Sequence, residues 1–203
     1  MLAKVFSFGL AGIEAFPVEI EVDVARGLPA VNLVGLADTA IRESRERIKS
    51  AIKNSGFQWP PERITVNLAP SDIKKEGACF DLAIALGVLA ATGQLNPERL
   101  RDYFIIGELS LDGSLRPTRG IIPIGMAVAQ HKINKIIIPH YNAKEAGIIS
   151  SLEAFALKTL SQTVEFLHHP ESVRPFKLNL QDAFRQGASY PVDFSEEIGR
   201  AHV

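Results

Sequence analysis

The residue with the most obvious chemical potential is Cys79, which closes the run Lys75-Glu76-Gly77-Ala78-Cys79 just before an apolar stretch. A thiol attacks only as thiolate, and its unperturbed pKa of about 8.5 means that it needs a neighbouring base or cation. Lys74 and Lys75 are near it in sequence. The same position also suits a small buried residue at a helix start. The histidines are His131, His140, His168, His169 and His202, and none falls in a metal-binding spacing. His168-His169 follows a helix end, where positive charge complements the helix dipole. No G-x-x-x-x-G-K-[ST] loop, no G-x-G-x-x-G and no G-x-S-x-G is present. Classical motifs therefore reveal no enzyme.

A second set of residues points to phosphate binding. In a helix starting at Thr39, Arg42, Arg45, Lys49 and Lys53 fall about 40° to 120° from Ile41 at about 100° per residue, with Glu46 beside them. From Arg42 to Lys75 there are eight cations against four carboxylates. Spaced cations suit phosphate contacts, and Lys74-Lys75 extends the set. A solvated helix face with pairs such as Arg42–Glu46 fits the pattern as well. Trp59, between Gln58 and Pro60, suits either stacking on a base or packing a turn. Asp81, inside the apolar stretch, needs hydrogen-bond donors from loop amides or a nearby cation.

The elements that must position these residues follow from patterning. The chain has 203 residues, 46% hydrophobic and 22% charged, with a net charge of −1. That balance excludes a disordered chain and one that is basic all over. A lone cysteine excludes an internal disulfide and fits a reducing cytoplasm. No apolar run approaches membrane-spanning length, and the N-terminus lacks a signal-peptide pattern. Period-two alternation predicts strands over 4–9, 17–24, 30–34 and 63–68, and further strands over 104–109, 135–138 and 154–157. Helices are expected from a cap at Asp38 or Thr39 to Asn54, over 80–91, within 121–131 and over 160–167. The 80–91 helix is apolar all round and must be fully buried. The interleaving predicts an α/β (α+β two-layer) fold, a mixed sheet with helices mainly on one face. Residues 171–192 lose periodicity and read as a linker.

Two segments carry a family resemblance. One runs from Val31-Asn32-Leu33-Val34-Gly35-Leu36 through Arg63-Ile64-Thr65-Val66-Asn67-Leu68-Ala69-Pro70 to Lys75-Glu76-Gly77-Ala78-Cys79-Phe80-Asp81-Leu82. The other is Gly107-Glu108-Leu109-Ser110-Leu111-Asp112-Gly113, followed by Ile136-Ile137-Ile138-Pro139. Over residues 1–170 they resemble the N-terminal domain of the magnesium-chelatase-like AAA+ ATPases, the YifB/ComM family. That domain is similar to the Lon protease domain, so the resemblance implies the fold of ribosomal protein S5 domain 2. Placed on the Lon Ser–Lys pattern, Cys79 stands at the serine position and Ile122 at the lysine position. Ile122 cannot accept a proton, so no catalytic residue is expected.

Residues 193–203, Asp193-Phe194 to Val203, resemble the entry into an AAA+ module, so the chain is expected to stop just short of a motor domain. The resemblance implies ATP and Mg2+ in that absent domain and none in this fragment. It also implies a hexameric ring and DNA as partner, for ATP-driven branch migration in recombination and transformation. A residual peptidase using Cys79 and a protein–protein assembly module remain as alternatives.

Overall fold

The computed structural model describes residues 1–178. β1 (Leu2–Ala11) and β2 (Glu14–Ala25) form a long antiparallel hairpin, Leu2 opposite Asp23 and Ala11 opposite Glu14. Gly12 turns it with φ of 63°, a left-handed angle that glycine adopts without penalty. β3 (Ala30–Val34) runs parallel to β4 (Arg63–Ala69). A parallel pair needs a crossover, and α1 (Thr39–Asn54) supplies it. Asp38 caps α1 by accepting from the Ile41 amide at 2.9 Å, as its residue type predicts. β4 pairs antiparallel with β2.

α2 (Asp81–Ala91) is buried at every residue, as an all-apolar helix must be. The expected 104–109 strand divides. β5 (Phe104–Ile105) joins the main sheet parallel to β1, while β6 (Glu108–Leu109) pairs with β7 (Leu115–Arg116) in a small separate ribbon. The cause is Gly107, whose amide donates to the Cys79 carbonyl at 2.8 Å and whose carbonyl accepts from Leu82 at 3.0 Å. Those bonds turn the backbone away from the sheet and onto the start of α2. α3 (Ile121–Ala129), β8 (Lys135–Pro139), α4 (Ala143–Ala146), β9 (Glu153–Leu157) and α5 (Leu160–His168) complete the domain.

The sheet order is β3-β4-β2-β1-β5-β8-β9, a seven-stranded mixed sheet. One core lies between it and α1, α2 and α5, built on Val5, Ile20, Val22, Val66, Leu86 and Phe166. Because strand neighbours point to opposite faces, Phe8, Ile136 and Ile138 lie on the other side. There Ile121, Ile124 and Val128 of α3 cover them. The two-layer α/β arrangement thus holds across β3 to β1, and a further layer covers the β5–β8–β9 end. The other face of β2 carries Glu19, Glu21 and Asp23, with Lys4 of β1 holding Glu19 at 2.6 Å and Glu21 at 3.1 Å.

After α5 the chain returns once to the sheet. The Phe176 amide donates to the Ala154 carbonyl at 2.8 Å, a single antiparallel bridge to β9 within the stretch read as a linker. The remainder of the expected linker, 179–192, and the motor-entry motif, 193–203, lie outside the described residues.

Candidate functional site

Cys79 sits where the loop from β4 enters α2, at a cleft of about 400 Å³. Phe8, Leu10 and Ile124 supply apolar walls; Glu76, Glu108 and Arg119 are the charged groups at it. Although part of Cys79 reaches the cleft, protein atoms crowd the thiol, and desolvation is the largest cause pushing its pKa up to about 12. The charged groups that act on it, Asp81, Asp38 and Glu108, are all carboxylates and push the same way. At neutral pH the sulfur therefore keeps its proton. Ile122 offers no base: its side chain is 42% exposed and does not line the cleft, where Ile124 stands instead. Cys79 is thus a poor nucleophile, and Ile122 has no group that could accept its proton.

Asp81 beside it is structural. Its side chain is 1% exposed, and Oδ2 accepts from Arg47 Nε at 2.6 Å and from the Leu109 amide at 3.2 Å. Burial pushes the carboxyl up to about 6, and Arg47 holds it down against that burial. The pair ties α1 to α2 and β6. Sequence reading anticipated the donors of Asp81 but not that Arg47 is one of them. The helical wheel contains the signal, since Arg47 lies on the opposite flank of α1 from the other cations.

The structure separates the six candidate DNA-binding cations. Arg42, Arg45, Lys49 and Lys53 do share one flank of α1. Arg42 and Arg45 line an open groove of about 580 Å³ against Val31–Val34 of β3. Arg45 and Lys49 line the next hollow, of about 210 Å³, with Trp59. The Arg42–Glu46 pair allowed by helical spacing is not formed; Glu46 instead meets Arg45 at 3.6 Å. Among the described residues Arg42, Lys49 and Lys53 have no ion pair. Lys74 is exposed but paired with Glu76 at 2.8 Å, which raises its pKa. Trp59 is part-buried and packs against the core.

Lys75 must be removed from the set. Its side chain is fully buried, and Nζ donates to the Gly35 carbonyl at 3.2 Å. Burial lowers its pKa. The ammonium clamps the β3–α1 connection: the Lys75 backbone also bonds Leu36 and Asp38, and the second Asp38 oxygen accepts from the Gly77 amide. Lys74-Lys75-Glu76 reads as one exposed charged run, and nothing local shows that the chain turns inward at its middle residue.

Comparison with known proteins bears on the family. The family model for subunit ChlI of Mg-chelatase matches residues 20–142. The chain is 38% identical over 204 residues to competence protein ComM of Haemophilus influenzae, covering 100% of this chain and 40% of that protein. It is 37% identical over 202 residues to YifB of Escherichia coli, covering 98% of this chain and 38% of that protein. It is 23% identical over 180 residues to Lon protease 2 of Bacillus subtilis, covering 80% of this chain and 32% of that protein. The chain thus spans about two fifths or less of the length of these relatives. A model match over more than half of the chain, joined to two relatives at this identity, places it in the magnesium-chelatase-like family, that of subunit ChlI of Mg-chelatase, with ComM and YifB as relatives.

Proposed function

We propose that this chain is a non-catalytic domain of a ComM/YifB-type AAA+ ATPase, and that it holds DNA through one flank of α1 while the rest of the protein does the work. On this reading the full protein is a cytoplasmic, ring-forming motor that drives DNA branch migration in recombination and transformation. The name of the Haemophilus relative supports the link to competence. ATP and Mg2+ are assigned to the rest of the protein, since this chain has no P-loop sequence to cradle a triphosphate.

The observation that carries the DNA reading is the flank itself: Arg42, Arg45, Lys49 and Lys53 on one side of α1, beside an open groove. Arg42 to Lys53 spans about 16 Å of helix axis, comparable to about five phosphates along one strand of B-DNA. Side chains on that flank fix the position and orientation of a backbone without reading bases. The protonated, base-free thiol of Cys79 argues against the peptidase alternative.

The test is salt dependence. Four phosphate contacts give a slope of about −3.6 in log K against log salt, so affinity should fall about 150-fold between 50 and 200 mM salt. Arg42→Glu, Lys49→Glu and Lys53→Glu together should reduce that fall to about fourfold or less. Fluorescence anisotropy with labelled duplex and the full-length protein measures both. A triple variant with the slope of the unaltered protein would exclude this flank.

A further inference from the structure

Among the described helices, α2 and α3 are built almost wholly of apolar residues, but only α2 is buried throughout. α3 carries no polar side chain at all, yet Ile122 is 42% exposed and Met126 54%. A helix without a polar face is one that is covered on every side. Single exposed hydrophobic residues need no explanation. These two, however, lie one turn apart on one face of α3, about 6 Å along its axis.

The uncovered face borders the loop after α4. A Cβ added at Gly125 would lie 2.7 Å from Ile149 Cδ1 and 3.0 Å from Leu152 Cδ2, so that loop lies against α3. At about 100° per residue, Ile122 and Met126 stand about 60° and 100° round the helix from Gly125. The buried Ile121, Ile124 and Val128 stand on the other side of it. Ile148, next to Ile149 in the loop, is 54% exposed and adds to the apolar surface.

The last described residues reach the same loop. A Cβ added at Gly147, one residue before Ile148, would lie 2.9 Å from Leu178 Cβ and 2.9 Å from a Phe176 ring carbon. Residues 179–203, which lie outside the described residues, therefore continue from beside Ile148. Leu180 and Phe184 are the first large apolar residues in them. Leu178 to Phe184 has a reach of about 20 Å, while Gly147 and Ile149 are at most about 7 Å apart. That reach suffices to bring Phe184 over Met126.

We propose that the segment from Asn179 to Phe184 lies across α3, with Leu180 against Ile148 and Phe184 between Ile122 and Met126. It removes from water the face of α3 that the core does not use. α1 and α3 pack on opposite faces of the sheet, so a segment held there leaves the cations of α1 uncovered. The proposal does not depend on DNA binding, and its failure would leave that reading untouched.

The two methionines of the chain supply the test. Met1 and Met126 are similarly open, 58% and 54% exposed. Were α3 bare, peroxide would convert both to sulfoxide at similar rates. With the segment docked about nine-tenths of the time, Met126 should react about tenfold more slowly than Met1. Peptide mass spectrometry of the whole 203-residue chain reads both rates. Leu180→Asp with Phe184→Asp should bring Met126 up to the rate of Met1 without altering the folded signal. In a Cys79→Ser background, Met126→Cys with Phe184→Cys should form an intrachain disulfide on mild oxidation. Leu28→Cys with Phe184→Cys should not, since Leu28 precedes β3, at the far end of the sheet from β9. Equal oxidation of Met1 and Met126 in the unaltered chain overturns the proposal, as does equally fast cross-linking of the Leu28→Cys pair. Protection of Met126 that survives the double Asp variant overturns it too. So does protection that grows with protein concentration, which assigns the cover to a second copy.

Discussion

Arg47→Ala should destabilise the domain more than Asp81→Ala, although both remove the same ion pair. The asymmetry follows from exposure. Asp81 is 1% exposed, whereas Arg47 is 24% exposed. Truncating Arg47 leaves a carboxylate buried in an apolar helix with one amide donor, Leu109, at 3.2 Å. An uncompensated buried charge of that kind costs about 3–5 kcal/mol. Truncating Asp81 frees a guanidinium that can turn to water, so the loss is that of hydrogen bonds to a charged group, about 1–3 kcal/mol. Against a typical domain stability of about 5–15 kcal/mol, the difference decides whether the variant is folded at 37 °C.

The pH dependence tests the cause. The folded-state pKa of Asp81, about 6, lies above its ordinary value of 3.8, chiefly through burial. The native state then holds a proton that the unfolded chain releases. Its contribution is fully present below pH 3.8 and is lost as pH rises through 6, amounting to about 3 kcal/mol across the window. Without Arg47 the carboxyl is pushed higher still. The deficit of Arg47→Ala should therefore be largest near pH 8 and shrink near pH 5, where the stranded carboxyl is neutral. Urea denaturation at both pH values, read as the midpoint at unchanged m-value, measures it. An equal deficit at the two pH values, or a larger loss in Asp81→Ala, would refute the reasoning.

Three further outcomes are expected. Cys79 should react with a thiol reagent at pH 8 far more slowly than a free cysteine, and at full rate once urea unfolds the chain, because burial and three carboxylates hold its proton; fast native-state labelling would reopen the peptidase reading. Gly35→Ala should destabilise by about 2 kcal/mol or more in thermal unfolding, since its φ is 95° and an added Cβ would come 2.1 Å from the Leu68 backbone oxygen. Lys75→Met should leave DNA affinity and its salt slope unchanged in the anisotropy assay, because the ammonium it removes is buried against Gly35.

The sheet and the long helices were legible because each carries a strong local period. Glu19, Glu21 and Asp23 alternate with Val18, Ile20 and Val22, and α2 has no polar residue after Asp81. The short pieces were not, because tertiary bonds create them. Gly107 breaks the 104–109 strand only because α2 receives its backbone. The cap at Asp38 was readable from residue type, but its second bond to Gly77 joins segments 39 residues apart. At the site, four of six cations could be placed on one flank by counting along a helix. Lys75 could not, since a loop has no period from which to read which side faces in. The place of β3 at the edge of the sheet was equally hidden: strand existence is local, while strand order depends on every other strand.

Net charge is a poor guide to what this surface attracts, and the fold explains why. The near-neutral total averages two faces that no ligand meets together. Glu19, Glu21 and Asp23 project from one side of the sheet, where Lys4 holds the first two and the N-terminal ammonium lies 3.9 Å from Asp23. α1 packs on the other side, through Ile41, Ile48 and Ile52. The requirement that those three isoleucines face the core places Arg42, Arg45, Lys49 and Lys53 on its flank and sends Arg47 inward to Asp81. Hydrophobic burial of a single helix thus sorts five cations into one that holds the core and four that solvent reaches. Screening limits the reach of those paired carboxylates to about 8–10 Å at physiological salt, so they do not cancel the field over α1. On the proposed reading, a polyanion approaching from solution is drawn to α1, where the unpaired cations are, and not to the side of the sheet where the carboxylates are paired.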